Sequence, residues 1–271
     1  MTYHIFVGYD EREHEVFQVA KHTLERYANV PIKVHKLHHK PLREAGLFYR
    51  EWKMDAKGQY IDLTDNRPFS TQFTFTRFLV PEIWKSLPDT DKSPLVMFVD
   101  CDFVFRSDIG EMFALIEQKK ILSKGKSPVY VTQHDYRPDS QIKMDGMAQS
   151  TYNMKLWAAL MVFDMDHPDT NNLTPELVNT EGGRNLMSFC WVKDLHSIGT
   201  IPEEWHFIPD HSEKNTQTMK AIHYTEGGPW FPSKKNCSYA DLWWAKYREF
   251  VSYTLDTGVS EEQVMRLLDA S

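Results

Sequence analysis

Long apolar runs, basic tracts and paired cysteines are all scarce in this chain of 271 residues. Its apolar runs are far shorter than the ~20 residues that a membrane-spanning helix needs, so we expect no membrane span. The three cysteines are odd in number and far apart, which argues against a disulfide framework and favours a reducing compartment. The net charge is −7, and without a basic tract neither nucleic acid nor an anionic membrane is expected as a main partner.

Several phosphate-binding and catalytic motifs are also missing. The chain has no G-x-G-x-x-G, no G-x-x-x-x-G-K-[ST] and no G-x-S-x-G, which argues against a dinucleotide oxidoreductase, a P-loop ATPase and an α/β-hydrolase. Its first seven residues lead straight into a strand-like run, without the basic region and longer apolar stretch of a secretory signal. Together with the cysteine pattern, this predicts a cytoplasmic protein.

What the chain does have is a large apolar and aromatic content and a regular start. Hydrophobic residues make up 41% and aromatic residues 13%, enough for a substantial core. The first 37 residues predict a strand at His4–Gly8, an amphipathic helix containing Val16 to Tyr27, and a strand at Ile32–Leu37. Because a strand, a helix and a strand in this order are typical of parallel pairing, we predict an α/β fold with a mostly parallel central sheet flanked by helices.

This alternation is predicted to resume after a polar, irregular excursion at residues 38–68. The further predicted elements are a helix from Ser70 to Leu79 that stops before Pro81, strands at Leu95–Val99, Val129–Thr132 and Trp157–Phe163, and helices at Ile109–Gln118, Arg184–Asp194, Tyr239–Tyr253 and Glu261–Asp269. His35, His38 and His39 are interpreted as a solvated strand end. We expect one catalytic domain at residues 1–238 with a C-terminal helical extension at residues 239–271.

The strongest chemical signal is Asp100-Cys101-Asp102, directly after the apolar strand Leu95–Val99. Ligands of open α/β sheets lie at the carboxyl ends of strands. Two carboxylates there suit Mg²⁺ or Mn²⁺, and such an ion suits a diphosphate. The competing interpretation is that one aspartate caps the following turn and the other is solvated.

Two other patterns bear on this site. Asp164-Met165-Asp166 also follows an apolar run, and spacing alone does not separate the two aspartate pairs. Near the C-terminus, His223 precedes a loop containing Gly227 and Gly228. An imidazole ligand added to two carboxylates favours Mn²⁺, and glycines let backbone N–H groups approach phosphate closely. The alternative is a structural histidine before an ordinary turn.

The chain contains, in this order, the segments Phe75–Pro81, Val96–Val104 and Ile222–Trp230, which together resemble family 8 glycosyltransferases of the glycogenin and galactosyltransferase type. Phe75-Thr76-Arg77-Phe78-Leu79-Val80-Pro81 is similar to the arginine-containing helix of that family, and Val96–Val104 is similar to its strand with the DxD motif. Ile222-His223-Tyr224-Thr225, followed by Gly-Gly-Pro229-Trp230, is similar to its C-terminal block. The resemblance spans roughly residues 3 to 231.

The resemblance implies a GT-A fold and a metal-dependent transfer of a sugar, with retention, from a nucleotide-sugar donor, usually a UDP-sugar, to an acceptor hydroxyl. It implies that Asp100, Asp102 and His223 hold Mn²⁺ (or Mg²⁺), and it disfavours Asp164 as a ligand. It further implies donor contacts by Tyr9, Asp10, Arg77, Asp102, Gly227 and Gly228. No catalytic side chain is nominated.

The chain also departs from the family's pattern in three places, one of which is the family's acid-and-glutamine segment near the sugar, not recognisable around Met187 to Trp191. The lysine before Pro-Trp that would contact diphosphate is missing, and Lys234 or Lys235 is available as a substitute. Trp157-Ala158-Ala159 stands where the family has Asn-Ser/Ala-Gly, which leaves the sugar and the acceptor open. The alternatives are a nucleotidyltransferase acting on a sugar phosphate and a non-catalytic carbohydrate-binding protein.

Overall fold

The computed structural model describes residues 1–88, 90–135, 142–143, 147–148, 154–212 and 218–256. The strands are β1 (Thr2–Gly8), β2 (Ile32–Leu37), β3 (Trp52–Met54), β4 (Tyr60–Asp62), β5 (Pro68–Phe69), β6 (Lys92–Val99), β7 (Phe103–Phe105), β8 (Val129–Val131), β9 (Ile142–Lys143), β10 (Met147–Ala148), β11 (Leu160–Asp164), β12 (Gly199–Thr200) and β13 (Ala221–His223). The α-helices are α1 (His14–Tyr27), α2 (His39–Glu44), α3 (Val80–Ser86), α4 (Ile109–Leu122), α5 (Pro175–Thr180), α6 (Gly183–Met187) and α7 (Ala240–Asp256).

The centre of the molecule is a six-stranded sheet with the order β12-β8-β11-β6-β1-β2. β1 runs parallel to both β2 and β6, and β8 runs parallel to β12. Only β11 runs against its neighbours β6 and β8. The predicted α/β fold with a mostly parallel central sheet is therefore confirmed, with β11 as the reversed strand.

The middle strands of this sheet carry the core. β6 contains the apolar run Leu95–Val99 and β11 the run Leu160–Phe163, because a central strand covered on both faces has no solvent side for polar residues. On one side Tyr3 of β1 stacks on Phe113 of α4, with ring centroids 4.0 Å apart. Elsewhere α1 packs against β7 and α7, so that the C-terminal helix is joined to the first helix.

Three smaller sheets stand beside the central one: β3-β4-β5, β9-β10 and β7-β13. The first forms within the predicted polar excursion. In the last, β7 and β13 are antiparallel, with His223 opposite Phe103. This pairing joins the segment after β6 to a strand about 120 residues later, and it determines the position of the candidate site. No helix within the described ranges is long and apolar enough to cross a membrane.

Some predicted elements are wrong. The helix expected at Ser70–Leu79 is a short 3-10 turn at Thr76–Leu79, and Pro81 lies in the first turn of α3 instead of ending a helix. Proline is tolerated there because a first-turn N–H has no partner inside the helix. The helix expected at Arg184–Asp194 ends at Met187, since Phe189 has a left-handed φ of 57°.

Two further predictions are wrong, and a third concerns residues that the structure does not describe. Trp157–Ala159 is a 3-10 turn, and the strand starts at Leu160. The predicted solvated strand end is wrong for His39, which is buried with its ring edge-on to Trp52 at a centroid distance of 5.0 Å, and burial lowers the pKa of His39 to about 4. His35 and His38 are half-buried. The helix predicted at Glu261–Asp269 lies outside the described residues.

Candidate metal centre and adjoining pocket

Asp100 and Asp102 lie between the carboxyl end of β6 and the start of β7. The backbone N–H of Asp100 donates to the carbonyl of Ala159 at 2.9 Å, which ties the end of β6 to the beginning of β11. Both carboxylates are less than a tenth exposed. Two acidic groups are thus held at the sheet edge where ligands of α/β proteins bind.

Cys101, between the two aspartates, faces the other way. Its Sγ lies 3.8 Å from a carboxylate oxygen of Glu13, and the residue is fully buried. Burial raises the pKa of the Cys101 thiol well above its usual range. The Cys101 thiol therefore points at Glu13, and the candidate ligands on this segment are the carboxylate oxygens of Asp100 and Asp102.

His223 reaches the aspartates through the pairing of β13 with β7. Beyond this pairing, Tyr224 donates its backbone N–H to the carbonyl of Asp102 at 2.9 Å. The imidazole is fully buried and stacks on Phe103, with centroids 4.3 Å apart and planes at 14°. Its Nε2 lies 3.1 Å from Oδ1 of Asp102.

The three side chains have a geometry that suits a small divalent cation. One ligand atom from each of Asp100, Asp102 and His223 can be chosen so that all lie within 4.8 Å of one another. Octahedral ligands at ~2.1 Å from an ion are roughly 3 Å apart in cis and roughly 4.2 Å apart in trans. The 3.1 Å between Nε2 of His223 and Oδ1 of Asp102 fits a cis pair, and the other ligand atoms need to move little to reach these distances. Two carboxylates and one imidazole are a donor set for Mn²⁺ or Mg²⁺.

Arg77 is held against this centre by an ion pair, two hydrogen bonds and contacts with aromatic rings. Its Nη1 lies 3.0 Å from Oδ1 of Asp100 and donates to the carbonyl of Ala158 at 2.7 Å. Its Nε donates to the carbonyl of Thr74 at 3.0 Å, and its guanidinium lies 4.9 Å from the ring centroid of Phe98. The residue predicted to reach the donor is therefore buried beside a proposed metal ligand and orients that ligand.

A pocket opens next to Asp100 and Arg77. Its wall comes from five separate segments, and its charged residues include Asp65, Lys155 and Arg184. Lys155 is 8% exposed and stands between Met154 and Leu156, whose φ angles of 65° and 68° are left-handed. Such angles cost roughly 1–2 kcal/mol per residue outside glycine. Sequence reasoning missed this pocket, because no local pattern connects its segments.

The predicted nucleoside-contacting residues lie at the end of β1 and are buried. The hydroxyl of Tyr9 lies 2.9 Å from Nδ1 of His14. Asp10 is fully buried, and its carboxylate accepts hydrogen bonds from Nη2 of Arg12 at 2.7 Å and the backbone N–H of Gln72 at 3.0 Å. Asp10 therefore organises the loop around it, and a direct contact with a ligand needs these hydrogen bonds to break.

Gly227 and Gly228 both have structural reasons to be glycine. Gly227 has a φ of +90°, and its N–H donates to the carbonyl of Tyr224 at 2.8 Å. Its loop lines a second pocket together with His223 and Lys234. Lys234 is half-buried, with its Nζ 3.7 Å from Glu226, whereas Lys235 is exposed. Lys234 is thus the better placed of the two lysines that the sequence offered as substitutes.

Gly228→Ala is expected to destabilise the protein. A Cβ at Gly228 would lie 1.9 Å from the ring of Trp230, and overpacking of this kind costs about 1–3 kcal/mol. Urea denaturation measures the difference. Gly182→Ala is the control, because its Cβ would meet nothing closer than 3.9 Å. Equal unfolding midpoints for the two variants would contradict the expectation.

The second aspartate pair lies at the opposite end of the strands from Asp100 and Asp102. Because β11 is antiparallel to β6, Asp164 stands opposite Leu95, near the start of β6. Nζ of Lys120 lies 2.7 Å from both Asp164 and Asp166. This pair is an ion-pair cluster about a strand's length away from Asp100.

Sequence reasoning also missed two histidines behind the candidate centre. Nε2 of His206 lies 2.8 Å from Nδ1 of His223. His134 meets His206 edge to face at 4.5 Å, and burial lowers the pKa of His134 to about 4. Neither residue belongs to a recognisable motif, because their relation to His223 exists only in three dimensions.

Comparison with solved structures defines the class of the fold. The structure of the glycosyltransferase GlyE from Streptococcus pneumoniae TIGR4 matches with a TM-score of 0.54 and 12% identity, over 95% of this chain and 64% of that chain. The galactosyltransferase LgtC, solved with donor and acceptor sugar analogues, matches with a TM-score of 0.53 and 11% identity, over 91% and 95% of the two chains. The protein has the GT-A glycosyltransferase fold.

A curated relative places the chain more narrowly. This chain is 38% identical over 252 residues to protein CDI of Arabidopsis thaliana. The match covers 92% of this chain and 87% of that protein. The chain belongs to the family of protein CDI. No protein-family model matches it.

Proposed function

We propose that this protein is a metal-dependent glycosyltransferase that moves a sugar from a nucleotide-sugar donor, of the UDP-sugar type, to an acceptor hydroxyl, with retention of configuration as in family 8. The observation that carries the proposal is the meeting of Asp100, Asp102 and His223 at one sheet edge of a GT-A fold. LgtC, which has the same fold, was solved with donor and acceptor sugar analogues.

Asp100, Asp102 and His223 would hold Mn²⁺ or Mg²⁺. Such an ion, when bound, supplies positive charge to the oxygens of the leaving diphosphate. Arg77 orients the Asp100 carboxylate through its Nη1, and its own position is set by the carbonyls of Thr74 and Ala158. The guanidinium is planar and forked, so a lysine at this position would not reproduce these contacts.

The sugar and the diphosphate of the donor are assigned to different pockets. The pocket beside Asp100 and Arg77 is assigned to the sugar, where Asp65 and Lys155 offer hydrogen-bonding groups to sugar hydroxyls. The loop pocket with His223, Gly227 and Lys234 is assigned to the diphosphate, and Lys234 takes the place of the family's missing lysine. The anomeric carbon, which develops positive charge during transfer, would lie between the two pockets, close to Asp100.

A screen of nucleotide sugars tests this function. The purified protein is incubated with UDP-, GDP-, ADP- and CMP-sugars, with Mn²⁺ or with EDTA, and released nucleotide is measured. We expect slow, Mn²⁺-dependent release of nucleoside diphosphate from one donor class, with UDP-sugars favoured. Arg77→Lys should lower the rate, since the fork is lost.

Adding a nucleoside triphosphate with a sugar phosphate, and a binding measurement with free sugars, extends the screen to the alternatives. A nucleotidyltransferase would release pyrophosphate from a nucleoside triphosphate and a sugar phosphate. A carbohydrate-binding protein would bind a sugar without releasing any nucleotide. Equal nucleotide release with Mn²⁺ and with EDTA would contradict metal dependence.

A further inference from the structure

The histidine behind the candidate metal centre makes a defined contact with the proposed ligand. His206 and His223 are both completely buried, and Nε2 of His206 lies 2.8 Å from Nδ1 of His223. A contact this short between two ring nitrogens requires that one of them donates a hydrogen and the other accepts it. The two rings are therefore coupled in both orientation and tautomer.

Backbone pairing holds His206 in place. It ends a 3-10 turn at Glu203–Trp205, with its N–H donating to the carbonyl of Glu203 at 2.8 Å. The next residue, Phe207, donates to the carbonyl of Ala221 at 3.0 Å and accepts from the N–H of His223 at 2.9 Å. Because His206 is fastened to the strand that carries His223, the distance between the two rings is built into the fold.

The hydrogen bond has a task that stacking alone does not perform. Phe103 lies flat against the imidazole of His223 and restricts the plane of that ring. A 180° rotation of the ring about its Cβ–Cγ bond would keep the stacking but exchange the two edges of the ring, and Nε2 would no longer face Asp102. A directional contact at a ring nitrogen distinguishes the two edges, and behind the ring His206 supplies such a contact at Nδ1.

We propose that His206 is a positioning residue for the metal centre. It accepts the Nδ1–H of His223 and so presents the Nε2 lone pair of His223 to the ion between Asp100 and Asp102. Metal-bound histidines generally pass their other N–H to a carboxylate, a carbonyl or water. A neutral imidazole in that place orients the ligand without adding a third negative charge behind two carboxylates. This role rests on the proposed metal-dependent function.

The expected effect is a loss of metal affinity without any donor present. Loss of an outer partner typically weakens metal binding ~10–100-fold. We expect His206→Phe to weaken Mn²⁺ binding by that factor, measured from the EPR signal of free Mn²⁺. His206→Gln, whose side-chain oxygen can accept the same hydrogen, should recover most of the affinity. His134→Phe is the comparison variant: His134 meets the ring of His206 edge to face and hydrogen-bonds its backbone, but takes no part in the bond from His206 to His223, so affinity should stay within a few-fold.

A second readout uses the wild-type protein and does not depend on the stability of any variant. Long-range ¹H–¹⁵N spectra of histidine-labelled protein with saturating Mg²⁺ report which nitrogen of His223 carries hydrogen. We expect the Nδ1–H form. An Nε2–H form in the presence of Mg²⁺, or wild-type Mn²⁺ affinity in a folded His206→Phe, would overturn the role of His206.

The outcomes also separate this inference from the proposed function. If wild-type protein binds Mn²⁺ and His206→Phe binds it equally well, only the positioning role fails. If wild-type protein binds no Mn²⁺, the metal-dependent function itself fails, and the role of His206 falls with it.

Discussion

Asp102→Asn and Asp100→Asn are each expected to reduce Mn²⁺ affinity by more than the ~100-fold seen for outer-partner changes, because each removes a negatively charged ligand. Asn at position 100 keeps an oxygen near Arg77, and Asn at position 102 keeps the side-chain volume, so the fold should survive. Isothermal titration with Mn²⁺ measures the loss, and donor turnover should disappear in parallel.

The second aspartate pair provides the control for this experiment. Asp166 is largely exposed, belongs to an Asp-x-Asp pattern of its own and pairs with Lys120 at the far edge of the sheet. Asp166→Asn should therefore bind Mn²⁺ like wild type. Unchanged affinity in the Asp100→Asn, Asp102→Asn double variant would remove these residues from the metal site, and equal loss in Asp164→Asn would favour the other pair.

Arg50→Ala should be the most destabilising single change near the pocket. Arg50 and Asp62 are buried together, with Nε to Oδ1 at 3.0 Å and Nη2 to Oδ2 at 2.5 Å. Nη1 of Arg50 also donates to the carbonyls of Val178 and Glu181, which joins the small sheet to the end of α5. Removing one partner leaves a buried carboxylate without its cation, which costs about 3–5 kcal/mol.

Urea denaturation at pH 7 measures this loss. Lys21→Ala is the control, because Lys21 and Glu25 form an exposed pair on α1 and such pairs contribute roughly 0.3–0.5 kcal/mol. Arg50→Lys should recover only part of the stability, since lysine keeps the charge and loses the fork. A free energy of unfolding for Arg50→Ala within 1 kcal/mol of wild type would contradict a structural role of this pair.

The first unit of the fold could be predicted from local patterns alone. β1, α1 and β2 lie where alternation and helical spacing placed them, because each pattern is complete within a short window. The same holds for β6, whose apolar run and terminal aspartates identify a buried strand ending at a polar edge. The predictions for Pro81 and His39 were wrong. The place of Pro81 within a helix and the burial of His39 against Trp52 do not follow from a short stretch of sequence.

Only part of the candidate metal centre could be recognised from local patterns. The residues themselves identified Asp100 and Asp102 as candidates, but their spacing alone did not separate them from Asp164 and Asp166. The direction of β11 separates the two pairs in space, since an antiparallel strand brings its last residues to the opposite ends of its neighbours. A run of apolar residues predicts a strand but not its direction. The direction depends on how the preceding segment returns to the sheet.

By itself, then, the sequence determined the α/β alternation, the place of the DxD segment at the end of a buried strand, and a list of candidate ligands. The tertiary structure decided which candidates meet. His223 joins Asp102 because β13 pairs with β7 across about 120 residues, and His206 joins His223 because Phe207 pairs with the same strand. The pocket wall and the Arg50–Asp62 pair likewise combine distant segments. Local propensity acts over a few residues, whereas a site of this kind forms only when the burial of many strands has brought distant side chains together.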